Sequence, residues 1–179
     1  MNEVNIQFLS VKKAELSEFK LKLQDAFIDA LVKQFGPSHS KPIPSDEDIS
    51  KSFNAQGAVI NHIVLGNEKV GGVVLNINNE TQYNNLELFF IYPGSHNKGL
   101  GQATWKAIEN AYPETRVWAT ATPYFEKRNI HFYVNRCGFH IVEFFNEFHP
   151  EKDFTVNGEE GDSNLIEQGF FKFEKVMKP

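Results

Sequence analysis

Apolar residues recur along the chain at two spacings, every second position in some stretches and every third or fourth in others. The changes of spacing divide it into strands and helices. "VNIQFLSV", residues 4–11, alternates and predicts an opening strand. In residues 14–36, Phe19, Leu23, Phe27 and Leu31 share one helical face until Gly36-Pro37 stops the helix. The loop "PSHSKPIPSDEDISKSF" is rich in Pro and Ser, and its Ser45, three residues before Asp48, predicts the cap of a short helix. Strands over 57–66 and 69–78 flank a turn at Gly66-Asn67, and a third over 85–93 runs into a glycine-bearing loop. A helix over 101–112, a strand over 115–123, a helix over 125–138 and a strand over 139–148 follow. A polar insert then leads to a closing strand over 169–177. Hairpin-joined strands followed by a strand-helix-strand-helix-strand run predict one α/β (α+β) domain over 1–179. Its sheet is expected to be mixed, mostly antiparallel and flanked by helices.

The 179 residues suffice for one buried core, and 41% apolar content with seventeen Phe fits a globular chain. A single cysteine, Cys137, excludes an internal disulfide and favours a reducing compartment. No cationic-then-apolar leader opens the chain and no run of about 18 apolar residues occurs, so a soluble, cytoplasmic protein with no membrane partner is expected. The net charge of -5 offers no basic surface for a phosphate backbone, and nucleic acid is not an expected partner. His131, His140 and His149 are nine residues apart, which matches no zinc-ligand spacing; no metal is predicted.

The segment "YPGSHNKGLGQATWKAIE", residues 92–109, joins a strand's carboxyl end to a helix's amino end. Unpaired N–H groups and the positive end of the helix dipole make such a junction an anion site. Gly99 and Gly101 remove the Cβ atoms that would hold a phosphate away, and Lys98 adds a positive charge. The Walker A pattern is absent and "GLGQAT" lacks the third glycine of a dinucleotide fingerprint. On these residues alone, the glycines suit a tight turn with no ligand better than a phosphate site.

With "FYVNRCGF", residues 132–139, placed one strand later, the order strand, "HNKGLG", helix, strand, helix resembles the GNAT superfamily of N-acetyltransferases over roughly residues 57 to 145. That family's acetyl-CoA loop reads Gln/Arg-x-x-Gly-x-Gly/Ala, and its later helix commonly ends in a pattern like FYEKxGF. The resemblance implies an acetyl-CoA-dependent enzyme acetylating a primary amine, on a small molecule or a protein, by direct attack on the thioester. It places His96, Asn97, Lys98, Gly99, Leu100, Gly101 and Gln102 around the CoA pyrophosphate. Phe90 and Ile91 would pair with the pantetheine arm as one strand pairs with another, beside a bulge usual in that strand, and Asn129 would lie near the same arm. His96 stands where Gln or Arg is usual. Counting back from Gly138, Val134 occupies the place of the tyrosine that protonates the leaving thiolate in many members, with Tyr133 one residue earlier, a turn of about 100° on a helix. Tyr133 is the candidate general acid; the other reading of it is a core aromatic with a satisfied hydroxyl.

Such chemistry needs an oxyanion donor, for which the Ile91 N–H is expected, and an acceptor for the amine's proton. Glu87 is the only carboxylate in "LELFFIYP" and is the candidate base, the other reading of it being a solvent-facing charge on a strand edge; alternation sets it on the face of Phe89 and Ile91, which argues for a partly buried position. His62 is expected to be a structural strand residue, Cys137 a packed small hydrophobe, and "VEFFNEF" a contributor to an acceptor pocket. Between Asn146 and Gln168 stand seven carboxylates and one lysine, which read first as a solvated loop and otherwise as a negative rim; with Asp46, Glu47 and Asp48 also acidic, the balance leans toward a cationic amine acceptor. A catalytically silent acyl-CoA-binding module is the alternative function, and the expected assembly is a monomer or homodimer.

Overall fold

A computed structural model of the chain describes residues 4–37, 44–95, 99–151 and 169–178. The chain is a mixed α/β fold in which four strands lie in one compact unit, Met1–Thr115, and three in a second, Arg116–Pro179.

In the first unit, β1 (Ile6–Ser10), β2 (Ala58–Leu65), β3 (Glu68–Asn76) and β4 (Tyr83–Ile91) pair antiparallel in that order, with Ile6 opposite Leu65, Ala58 opposite Asn76 and Gly71 opposite Ile91. Its helices are α1 (Leu16–Phe35), α2 (Asp46–Asn54) and α3 (Leu100–Ala111). The predicted stripe on α1 buries Phe19 and Leu23, which meet Ile49 of α2, Val74 of β3 and Phe90 of β4 in one core cluster. Each such side chain removed from water is worth about 1.5–3 kcal/mol toward holding α1 on the sheet. The predicted cap of α2 is present: the Asp48 N–H donates to the Ser45 Oγ at 3.1 Å. α3 buries Leu100, Thr104, Trp105 and Ile108, and the Thr104 hydroxyl donates to the Leu100 carbonyl at 2.9 Å, so the hydroxyl enters the core without a desolvation loss.

In the second unit, β5 (Val117–Pro123) pairs antiparallel with β7 (Phe170–Val176), whose other edge takes β6 (His140–Phe145). The last strand in sequence is therefore the middle one of the three. Trp118, Phe139 and Phe173 are fully buried, and Cys137 lies buried as expected. Where one helix was expected over 125–138, the structure has a short α4 (Lys127–His131) followed by a π turn at Phe132–Arg136. Gly138, at φ 78°, ends that segment in the left-handed conformation, and the Lys175 ammonium donates to the Cys137 carbonyl at 2.7 Å.

Candidate active site

β4 carries a bulge, and Glu87 is its extra residue: Leu75 stands opposite Leu86 and Val74 opposite Leu88, so the ladder skips position 87. Val74 and Leu75 point to opposite faces, and so do Leu86 and Leu88, although they are two apart. Leu88 and Phe90 consequently join the α1–α2 core with Val74, while Phe89 and Ile91 share the face of Leu86. This corrects the expectation for Glu87, because alternation does not run through a bulge: its side chain is exposed rather than partly buried. Desolvation by the surrounding protein nonetheless raises its pKa above the ordinary carboxylate value. Exposure and desolvation coexist where water reaches a carboxylate from a limited direction.

The end of β4 is held close to β3 by two glycines. A Cβ at Gly71 would lie 2.2 Å from the Phe90 carbonyl oxygen, and one at Gly72 would lie 2.5 Å from the rings of Phe19 and Phe90. The Tyr92 N–H donates to the Val70 carbonyl at 2.8 Å. Strand N–H groups alternate between edges, so the Phe90 N–H points toward β3 and the Ile91 N–H points away from it. Ile91 thus presents its N–H on the edge that β3 does not use.

Gly99 is the N-cap of α3 at φ 97°, a left-handed conformation that favours glycine, and its carbonyl accepts from the Ala103 N–H at 2.9 Å. Among the described residues beyond its chain neighbours, no atom lies within 4 Å of where its Cβ would be, at the amino end of a twelve-residue helix. That end fits a phosphate. Leu100 is buried and anchors the turn, Gly101 is half-buried and Gln102 is exposed. His96, Asn97 and Lys98 lie outside the described residues.

In the second unit the Asn129 side chain, half-buried on α4, donates to the Thr122 hydroxyl at 3.4 Å. Tyr133 is 7% exposed, packed among Phe132, Phe139 and Phe173 with ring centroids 5.4–5.7 Å away. Its hydroxyl is hydrogen-bonded to Thr120, and burial pushes its pKa up to about 12. In the π turn, the Cys137 N–H donates to the Phe132 carbonyl, five residues back, at 3.0 Å. The turn takes up one residue more than an α turn would. Tyr133 and Gly138, five residues apart, are therefore separated by about the rotation that four residues make on an α-helix.

His62 is 4% exposed on β2, with its ring edge-on to Phe19 at 5.5 Å and its Nε2 3.7 Å from the Glu15 carboxylate. Desolvation lowers its pKa. The acids of α2 are engaged locally: Asp46 accepts from Gln24 at 2.8 Å and pairs with Lys20, Glu47 pairs with Lys51, and Asp48 accepts from the Ser45 hydroxyl. Most of the acidic insert lies outside the described residues. From "VEFFNEF", Phe145 is buried against the His149 ring, whereas Phe144 and Phe148 are exposed. Thr120, Thr122 and Glu126 went unread in the sequence. Glu126 opens α4 with its pKa raised by desolvation, and strand periodicity alone marks the two threonines as inward-facing. Among the described residues no group of His, Cys, Asp or Glu could hold a metal ion, and no helix is long and apolar enough to cross a membrane.

Residues 24–139 match a family model described as the acetyltransferase (GNAT) family. The uncharacterized protein YrkN of Bacillus subtilis (strain 168) is 50% identical over 178 residues, 99% of this chain and 96% of that protein. Among solved structures, the IAA acetyltransferase from Bacillus cereus ATCC 14579 is similar with a TM-score of 0.64 at 13% identity, over 97% of this chain and 100% of that one. The spermidine N-acetyltransferase from Vibrio cholerae in complex with CoA and spermine is similar with a TM-score of 0.62 at 12% identity, over 96% and 95% of the two chains. At these identities the structural likeness shows the fold.

Proposed function

We propose that this chain, which belongs to the acetyltransferase (GNAT) family, transfers an acetyl group from acetyl-CoA to a primary amine by direct attack on the thioester. The observation that carries the reading is the bulge of β4, which sets the only carboxylate of that strand outward with a raised pKa, four residues before the outward N–H of Ile91. Glu87 takes the proton that the amine must lose, directly or through a water. The Ile91 N–H donates to the oxygen on which negative charge develops. Tyr133 returns a proton to the departing thiolate. The amino end of α3, with Gly99 to Gln102, holds the pyrophosphate through backbone N–H groups, and the backbone of Phe90 and Ile91 pairs with the pantetheine arm. His96, Asn97 and Lys98 complete that loop, and Asn129 contributes to the same arm.

The chemistry makes the acceptor an amine that is neutral when it attacks. The test is free-thiol release from acetyl-CoA across spermidine, spermine, small monoamines and peptides with a free amino terminus. Release dependent on one of these amines supports the reading and names the acceptor class. Stabilisation by acetyl-CoA with no thiol release for any of them would refute it in favour of a silent acyl-CoA-binding module.

A further inference from the structure

Thr120 and Thr122 are inward-facing on the same side of β5, 6% and 4% exposed. A buried hydroxyl left unpaired costs about 1–3 kcal/mol, so two in succession along one strand require two matching groups on the element packed over it. Asn129 and Tyr133 supply them, Asn129 bonding Thr122 and Tyr133 bonding Thr120. The spacings agree: two strand residues span about 6.7 Å, and four helical residues about 6 Å. The two bonds are rungs that fix the sliding register of the helical segment on the strand. The aromatic rings around Tyr133 hold its ring, and Thr120 decides where its hydroxyl hydrogen points.

We propose that Thr120 is a positioning residue for acyl transfer: its hydroxyl donates to the Tyr133 phenolic oxygen and directs the phenol's own hydrogen toward the departing thiolate. This rests on Tyr133 being the proton donor. As the C–N bond forms and the C–S bond breaks, the amine's proton goes to Glu87 and the phenolic proton to sulfur. Solvent then reprotonates Tyr133 and deprotonates Glu87. A phenol with its pKa raised to about 12 is a reluctant donor to a thiolate, whose own acid has a pKa of about 8.5. The phenolate left behind is the costly species, and the hydrogen bond from Thr120 is what stabilises it, opposing the effect of burial.

The test is a double-mutant cycle on turnover, with acetyl-CoA and the fastest amine of the panel above, and with thermal unfolding of each variant as a check on folding. Thr120→Val keeps the shape of the side chain and removes the hydroxyl; it should lower kcat on the order of tenfold with the KM for acetyl-CoA unchanged. Thr120→Ser restores the donor and should return kcat to within about threefold of the wild type. In a Tyr133→Phe background, where there is no hydroxyl to direct, Thr120→Val should cost nothing further. An equal loss in both backgrounds, or no rescue by Ser, would make Thr120 merely structural and overturn the proposal. If Tyr133→Phe lowers kcat while Thr120→Val leaves it unchanged, the positioning role alone falls. An unchanged kcat in Tyr133→Phe would instead remove Tyr133 as donor, and the inference with it.

Discussion

A carboxylate is a base only while ionised, and the raised pKa of Glu87 moves that condition upward from the ordinary glutamate range. Turnover should therefore rise with pH through the raised value. Glu87→Gln should lower it on the order of a hundredfold and abolish the Glu87-dependent part of the rise, with acetyl-CoA affinity retained. A pH–rate profile of the two proteins checks this, and wild-type turnover in the variant would move the proton to another acceptor. His62 titrates with the opposite consequence for stability. Burial beside Phe19 depresses its folded-state pKa, with Lys69 and Lys22 adding to the depression and Glu15 opposing it. The stability gained by keeping it neutral is present above its unfolded value of about 6.5. It is lost as pH falls through that value toward the folded one. Denaturant unfolding at pH 7.5 and 5.5 should show this loss in the wild type and a smaller one in His62→Leu; equal losses would assign the acid sensitivity to other groups.

At the scale of an element, the close approach of β3 to the end of β4 depends on the absence of a side chain at Gly71. A methyl group there meets the Phe90 carbonyl oxygen at 2.2 Å and the Ile91 Cα at 3.0 Å, both backbone atoms with little room to yield. Gly71→Ala should destabilise the fold by about 1–3 kcal/mol. Because it displaces the segment proposed to pair with pantetheine, it should also weaken acetyl-CoA binding. Equilibrium unfolding and a binding isotherm test the two parts separately, and unchanged affinity in a destabilised variant would detach Phe90 and Ile91 from the cofactor. The π turn is the other element-scale device. It consumes the extra residue between Tyr133 and Gly138 while Gly138 still closes the segment.

For the molecule as a whole, a cosubstrate bound only by the folded chain must raise its stability. At acetyl-CoA one hundred times above its dissociation constant the gain is about 2.7 kcal/mol. For a chain of this length that corresponds to a rise in Tm of about 5–10 °C. A thermal scan with and without acetyl-CoA measures it, and Gly99→Glu, which sets a carboxylate at the amino end of α3, should abolish the shift. An unshifted wild type would leave the glycines of 99–101 as a turn and nothing more.

The order of strands and helices, the buried stripe of Phe19, Leu23 and Leu31, the Ser45 cap and the glycine turn ahead of α3 were all legible in the sequence. Each follows from spacing or from local backbone chemistry within a few residues. The family was legible for the same reason, because its two motifs are contiguous segments. What the tertiary structure decided are two one-residue irregularities. The bulge at Glu87 exists only in the pairing of β4 with β3, and it turns an alternation that would half-bury the carboxylate into an exposed position. The π turn exists only in a hydrogen-bond count, and it adds one residue to the turn that carries Tyr133, which linear spacing does not record. The partners of Tyr133 and Asn129 were equally hidden, since Thr120 and Thr122 reach them across a strand–helix contact. A linear pattern records which faces are apolar. Register and side-chain pairing depend on which segments meet, and folding alone sets that.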